Sequence, residues 1–271
     1  MASVQANYAR GWMAPGIIAV AVAVVAGCGT PAVGEGRRAS VPVSAVPQCR
    51  AALGPAGGKL PLFSAAGVGD TLPPGWQSWT VHPNKIPTQY ALAKVDRQTV
   101  LHARADSSAS GLYAPLTAHE ASTLRWAWKT RDVIADADNA KGAREDAPLR
   151  VFVAFDGDKS QLSLKDQLMD EMARLITGRE MPYATLMYIW GANRAPGTIL
   201  SNPHTDRIRM IVVDSGAEHA NQWRCHQRDL RADYRRAFGK EPGSLVAIGV
   251  MTDTDNTKSR AEAWYGDIAL D

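Results

Sequence analysis

Most of the features that would assign a chain at sight are missing from this one. Three cysteines in 271 residues are too few for a disulfide framework or a cysteine-rich zinc module. No apolar run reaches the roughly 18 residues of a membrane-crossing helix, and the longest, from Ile17, ends at Ala26. An excess of one charge is lacking too. The 30 Lys and Arg side chains against 27 Asp and Glu leave +3, which argues against a dedicated nucleic-acid binder. There is no Gly-x-Ser-x-Gly elbow, no phosphate loop and no His-Glu-x-x-His. The six histidines are scattered, and His204-Thr205-Asp206 sets one near an acid. A glycosidase pair of carboxylates stays open, because separation in space defines it.

What is present begins at the amino terminus. Arg10 precedes the uncharged run Ile17 to Ala26, which closes on Val25-Ala26-Gly27-Cys28. This order of charge, short apolar core and small residues is that of an export signal. Its end resembles the lipobox of bacterial lipoproteins, which implies cleavage before Cys28 and lipid on that sulfur. One acyl chain anchors a protein marginally, whereas two or three anchor it stably. Gly29 stands where an Asp would retain a lipoprotein at the inner membrane. By that sorting rule the address is the cell envelope, at the outer membrane facing the periplasm in a two-membrane host. Loss of the signal removes Arg10 and lowers the charge to +2. Residues 28–59, rich in Gly, Ala, Pro, Val and Ser, read as a flexible tether. One domain is expected over 60–271. Cys49 and Cys225 either bridge and pin the tether to the domain, or remain free thiols with Cys225 packed in a strand.

From Leu60 onward apolar residues recur at period two. Alternation predicts strands at 76–81, 90–95, 99–105, 110–116, 124–128, 150–155, 185–190, 208–213, 222–228, 245–251 and 263–270. Two segments break the rhythm. Leu164, Leu168, Met172 and Leu175 share a helical face before Gly178, and Leu230, Tyr234 and Phe238 do so before Gly239. The pattern predicts an all-β sandwich or barrel with two short peripheral helices.

Three groups of residues carry possible chemistry. Asp253, Asp255 and Asn256 follow an apolar strand and suit a hard cation such as calcium, the hydroxyls of a sugar, or a turn that caps its own backbone. Trp126 and Trp128 share one strand face, and Tyr188 and Trp190 another. Such rings either stack on a pyranose, which makes Trp128 and Trp190 candidate ligand contacts, or fill a core. Trp76 and Trp79 have opposite parity, so a regular strand cannot turn both inward. Arg150, on the face of Phe152, is a candidate ligand contact or a partner for Asp253 or Asp255, while Arg207 and Arg209 read as solvated edge residues.

Several of these segments together resemble a family of exported bacterial proteins known as domain of unknown function number 3047. The resemblance rests on Leu124-x-Trp126-x-Trp128-Lys129, Arg150-Val151-Phe152-Val153-x-Phe155, Tyr188-x-Trp190-Gly191, Trp223, Arg228-Asp229-x-x-x-Asp233-Tyr234 and Phe238-Gly239. Gly249 to Thr257 and Tyr265-Gly266-Asp267-Ile268 carry it most specifically. It implies no activity and no catalytic residue. A looser likeness is to galactose-binding-like jelly rolls, found in many carbohydrate-binding modules, and rests on the closing Tyr265-Gly266-Asp267-Ile268. It implies a jelly-roll β-sandwich, and it makes Asp267 a candidate ligand of a structural calcium beside Asp253 and Asp255. The combined expectation is a lipid-anchored envelope module that binds a glycan or other polyhydroxylated envelope polymer without turning it over, with the membrane and no nucleic acid as its other partner. The alternatives are a carbohydrate-active enzyme using Asp253 or Asp255, and an envelope scaffold. Replacement of Cys28 by Ser is expected to abolish incorporation of labelled palmitate and to leave the longer precursor. Normal cleavage of that variant would instead indicate an ordinary secretory signal.

Overall fold

The computed structural model describes residues 60–120 and 123–271. The export signal, Cys28, the tether and Cys49 lie outside them. Twelve strands form two sheets: β1 (Gln77–Thr80), β2 (Gln89–Val95), β3 (Gln98–Asp106), β4 (Ala109–His119), β5 (Thr123–Thr130), β6 (Ala147–Phe155), β7 (Ala184–Gly191), β8 (Ile199–Ser201), β9 (Ile208–Ser215), β10 (Arg224–Asp229), β11 (Leu245–Asp253) and β12 (Arg260–Leu270). One sheet has the order β1-β4-β11-β6-β7-β9-β8 and the other β10-β5-β12-β3-β2. All neighbours are antiparallel except β7 and β9, which run parallel. The architecture is a jelly-roll β-sandwich. Alternation located every strand but β8, whose three residues are too few to display a period.

The sheets meet through the residues of one parity. From the five-stranded sheet come Leu101, Leu124, Trp126, Trp128 and Tyr265, and from the seven-stranded sheet Val151, Val153, Tyr188, Trp190 and Val250. The aromatic rings interlock across the interface, with Trp126 5.0 Å from Tyr188 and Trp128 6.4 Å from Trp190. Interdigitation of this kind is how two pleated faces exclude water from between them. Trp76 and Trp79 resolve the parity conflict as expected. Trp76 is buried against Phe63, whereas Trp79 lies on the outer face of the seven-stranded sheet, edge-on to Phe152.

Helices α1 (Leu164–Thr177) and α2 (Leu230–Phe238) have the expected bounds, and each stops on a glycine at φ +71°. Their orientations differ. Helix α2 buries Leu230 and Tyr234, with Tyr234 4.6 Å from Phe155. Helix α1 points its apolar stripe at solvent and Asp166 and Asp170 inward. Asp166 accepts from Thr205 Oγ1 at 2.6 Å, and Asp170 accepts from Arg207 Nη1 at 3.2 Å and Met181 N at 2.8 Å. Arg207, expected as a solvated edge residue, is instead 3% exposed, and its guanidinium also serves the carbonyls of Met181 and Pro182. A buried guanidinium needs several acceptors, and these carbonyls and carboxylates supply them.

Of the glycines in the seven-stranded sheet, Gly249 leaves the least room for a side chain. A Cβ there would lie 2.4 Å from the Leu112 carbonyl oxygen and 2.2 Å from Cζ of Phe152, whose ring covers the glycine. Gly249→Ala should therefore force the strands or the ring apart and destabilise the domain by about 1–3 kcal/mol. The check is a lower urea midpoint with an unchanged m-value.

Candidate functional site

The paired tryptophans belong to the interior. Trp128 and Trp190 have no exposed surface, so neither offers a ring face to a sugar, and their reading as ligand contacts is corrected. The face each pair shares is the inner one, and there the indole N–H groups need acceptors. Trp128 Nε1 donates to Asp214 Oδ2 at 2.7 Å across the sandwich, and Trp190 Nε1 donates to the Gly216 carbonyl at 3.0 Å. Asp214 is buried and also meets His226 Nε2 at 2.7 Å and Arg224 Nε at 3.0 Å. Burial opposes its charge, but these three partners outweigh it and hold the carboxyl below its ordinary pKa. Cys225 is exposed on β10 and disulfide-bonded, in place of the buried free thiol that was the alternative. Cys49 lies outside the described residues.

The opposite parity of the five-stranded sheet faces outward, and that face carries a different set of side chains. Register places Ala91, His102, Trp264 and Lys129 in one cross-strand row, and Gln89, Arg104 and Glu262 in the next. The His102 ring lies parallel to the half-buried Trp264 indole, 2° apart in plane with centroids 5.1 Å apart. Lys129 Nζ stands 4.4 Å above the Trp264 ring and 5.8 Å from that of Trp223. His102 Nε2 is 2.8 Å from Glu262 Oε1, and Arg131 reaches the other oxygen at 2.7 Å. Burial lowers the pKa of His102 despite the pull of Glu262, so the ring is neutral at pH 7 and its Nε2–H donates to that carboxylate. Burial likewise lowers that of Lys129. Beside the rings opens a cleft of about 570 Å³ lined by Gln89, Arg104, Asp106, Arg131, Arg260 and Glu262. A second hollow of about 350 Å³ shares Gln89 and Arg104 with it and adds Asp70 and His102.

From the sequence, none of this outer group was expected to contact a ligand. The available signal was parity. Glu262 and Trp264 alternate with the core residues Ala263 and Tyr265, so an indole must leave the core. A search for paired tryptophans overlooks a lone one.

At one end of the sandwich lies the predicted polar cluster. Asp253 ends β11 and Asp255 follows in the turn to β12; they are 3% and 5% exposed. Arg150, also 1% exposed, grips Asp253 with Nε at 2.8 Å from Oδ1 and Nη2 at 3.0 Å from Oδ2. It is thus the carboxylate's partner, and its reading as a ligand contact is corrected. Lys85 pairs with Asp255. Asp146, absent from the expected set, joins them, accepting from Asn256 N at 3.1 Å, Thr257 N at 2.6 Å and Thr257 Oγ1 at 2.6 Å. Asn256 closes the loop from its other side, donating to the Gly142 carbonyl at 2.8 Å.

One oxygen from each of Asp146, Asp253 and Asp255 lies within 4.8 Å of the others, close enough to face a single cation. Arg150 and Lys85 already hold two of the three carboxylates, however, whereas calcium takes six to eight oxygens. As arranged, the set does not fit a resident calcium ion. Asp267, the third ligand expected by resemblance, stands outside the cluster, where it accepts from the backbone N–H and hydroxyl of Ser64 and ties Phe63–Ala65 to β12. Burial pushes the Asp253 carboxyl up to about 6 against the pull of Arg150, so the pair is ionised at neutral pH. Arg150→Met should therefore cost about 3–5 kcal/mol by stranding a buried carboxylate. Adding Asp253→Leu should recover most of that loss in chemical denaturation.

Comparison with known proteins places the chain. No curated protein matches it. Solved structures superpose loosely. The xyloglucanase domain of NopAA, a type three effector from Sinorhizobium fredii, in complex with cellobiose, is 7% identical at a TM-score of 0.40, over 76% of this chain and 98% of its own. The K2 cleaved adhesin domain of Lys-gingipain is 9% identical at 0.36, over 78% and 96%. A family 29 carbohydrate-binding module complexed with cellohexaose is 9% identical at 0.31, over 78% and 88%. Scores this low tie neither a site nor an activity to this chain. Residues 74–269, nearly the whole sandwich, match the pattern of one family, described as protein of unknown function (DUF3047), and the chain belongs to that family.

Proposed function

We propose that this protein is a lipid-anchored envelope module whose sandwich binds a carbohydrate on the outer face of the five-stranded sheet. One observation carries the reading. The half-buried Trp264 stacks with neutral His102 on an outer sheet face, and a cleft rich in hydrogen-bonding side chains opens beside the pair. A pyranose has the complementary shape, with an apolar C–H face and a rim of hydroxyls. The C–H face would rest on the rings. Around it Gln89 offers both donor and acceptor, Arg104 and Arg131 offer donors, and Glu262 accepts. Ligand sites commonly combine an apolar floor with a few such placed polar groups, in clefts of about 300–1,000 Å³. Lys129 caps the indole now, and its flexible stem would let it swing aside and donate to a hydroxyl.

The competing enzyme reading requires Asp253 or Asp255 to meet a substrate. Both are buried and ion-paired at the end of the sandwich, which favours binding without turnover. The anchor at Cys28 belongs to the same proposal, as does an address at the outer membrane of a two-membrane host.

Trp264→Ala should weaken binding to a responsive polysaccharide by roughly tenfold or more, since aromatic contacts contribute up to about 1.5 kcal/mol beyond their buried area. Thermal stability should fall as well, since the half-buried indole packs against Val100, Ala127 and Trp223, but the fold should persist. Affinity electrophoresis against a polysaccharide panel, after a glycan array, is the measurement. Absence of binding by the wild-type chain with and without calcium would sink the proposal, as would a Trp264→Ala chain that binds equally well.

A further inference from the structure

Helix α1 is built to present an apolar surface to something outside the domain. Among the described residues eight large hydrophobic side chains are exposed, and five of them are Leu164, Leu168, Met172, Leu175 and Ile176 of this helix. Leu164 and Leu175 are each 73% exposed. Their positions, i, i+4, i+8, i+11 and i+12, form one continuous stripe. The opposite face cannot take their place, because Asp166 and Asp170 on it are fastened to Thr205 and Arg207. The helix is therefore fixed with its stripe outward.

Charge around the stripe helps to choose the occupant. Arg174 pairs with Glu171 on the helix, and Lys159 pairs with Glu180 just beyond it. With Lys165 and Arg179 set against Asp166 and Asp170, the segment 159–180 carries nearly balanced charge, with Asp158 preceding it. No excess of either sign is offered to a strongly charged partner, so attraction would come from apolar insertion. The sequence supplies the surface that would accept it. Residues 28–59, read as a coil, reach on the order of 30 Å, which keeps the domain within touch of any bilayer holding Cys28. A tether of that length converts a weak surface contact into an effectively intramolecular one.

We propose that α1 is a membrane-contact helix that lies in the plane of the bilayer interface with Leu164, Leu168, Met172, Leu175 and Ile176 among the acyl chains. Its relevance in the cell rests on the anchor reading, but the contact itself does not need the lipid. A helix of 14 residues is about 21 Å long and would sit about 5–10 Å deep, docking the sandwich by a second point. Tether and helix together would then restrict which faces of the domain meet the space beyond the membrane.

The experiment is flotation of the mature chain, residues 28–271 with Cys28→Ser so that no lipid is attached, mixed with phosphatidylcholine vesicles or with vesicles that also contain phosphatidylglycerol. The protein is expected to float with both. Leu168→Glu combined with Leu175→Glu, two exposed positions, is expected to lower the partition at least about tenfold at unchanged thermal stability. The proposal is overturned if the unlipidated protein stays in the aqueous layer, or if the double variant floats as well as the parent. Flotation only with phosphatidylglycerol would overturn it too, by placing the contact on basic side chains. So would a concentration-dependent dimer dispersed by the same substitutions, which would make a second copy the occupant. Palmitate labelling at Cys28 is scored separately, so failure of the anchor and failure of the helix are distinguishable.

Discussion

The end of the sandwich where β11 turns into β12 depends on keeping one guanidinium charged where water cannot reach it. Arg150 stands on the outer face of the seven-stranded sheet, with Nη1 3.3 Å from the Met187 sulfur and 3.7 Å from that of Met210. Burial opposes its charge, but the Asp253 carboxylate outweighs it and holds its pKa above the ordinary value. That requirement fixes the position of Asp253 at the end of β11, and the turn to β12 must begin there. Asp146 then receives the amides of Asn256 and Thr257, and Lys85 closes on Asp255. The most distinctive stretch of the chain is thereby a closure, with acids, amides and cations satisfying one another.

The same economy of space governs the middle of the molecule. Three tryptophans and two tyrosines fill the gap between the sheets, and the Trp128–Asp214 hydrogen bond crosses it. Once those rings are committed to the core, the side chains left for the surface are those of the other parity. On the outer face of the five-stranded sheet the strands place His102, Trp264 and Lys129 side by side, with Glu262 and Arg104 one row on. The strands bearing these residues, β3, β5 and β12, are not consecutive in the chain, so the group is assembled by pairing across long sequence separations. An exposed amphipathic helix and this face are both surfaces that the core leaves free.

Legibility followed the range of the physics involved. Strands and helices were readable because periodicity is local: the bounds of α1 and α2 follow from the apolar spacing and the terminal glycines, and only the three-residue β8 was too short to register. The cluster at Asp253, Asp255 and Asn256 was also found, with Arg150 as a candidate partner for its acids, but the sequence left its role open among ion, ligand and turn. Whether a carboxylate waits for a cation or already holds one depends on Arg150 and Lys85, which approach it from 103 and 170 residues away. Helix α1 shows the same limit. Its stripe was evident, yet a stripe faces the core only if nothing holds the other side more tightly, and Arg207 does.

By itself, then, the sequence determined the class of the protein. Alternation at period two predicts an all-β sandwich or barrel, the Val25-Ala26-Gly27-Cys28 junction predicts an anchor, and the residues from Trp76 onward carry the family. The tertiary structure alone decided which aromatic rings are buried, which acids are neutralised and which face is open. Parity divides each strand into two faces without naming the inner one. That choice is made by the opposite sheet, whose apolar side chains exclude water from whichever face they meet.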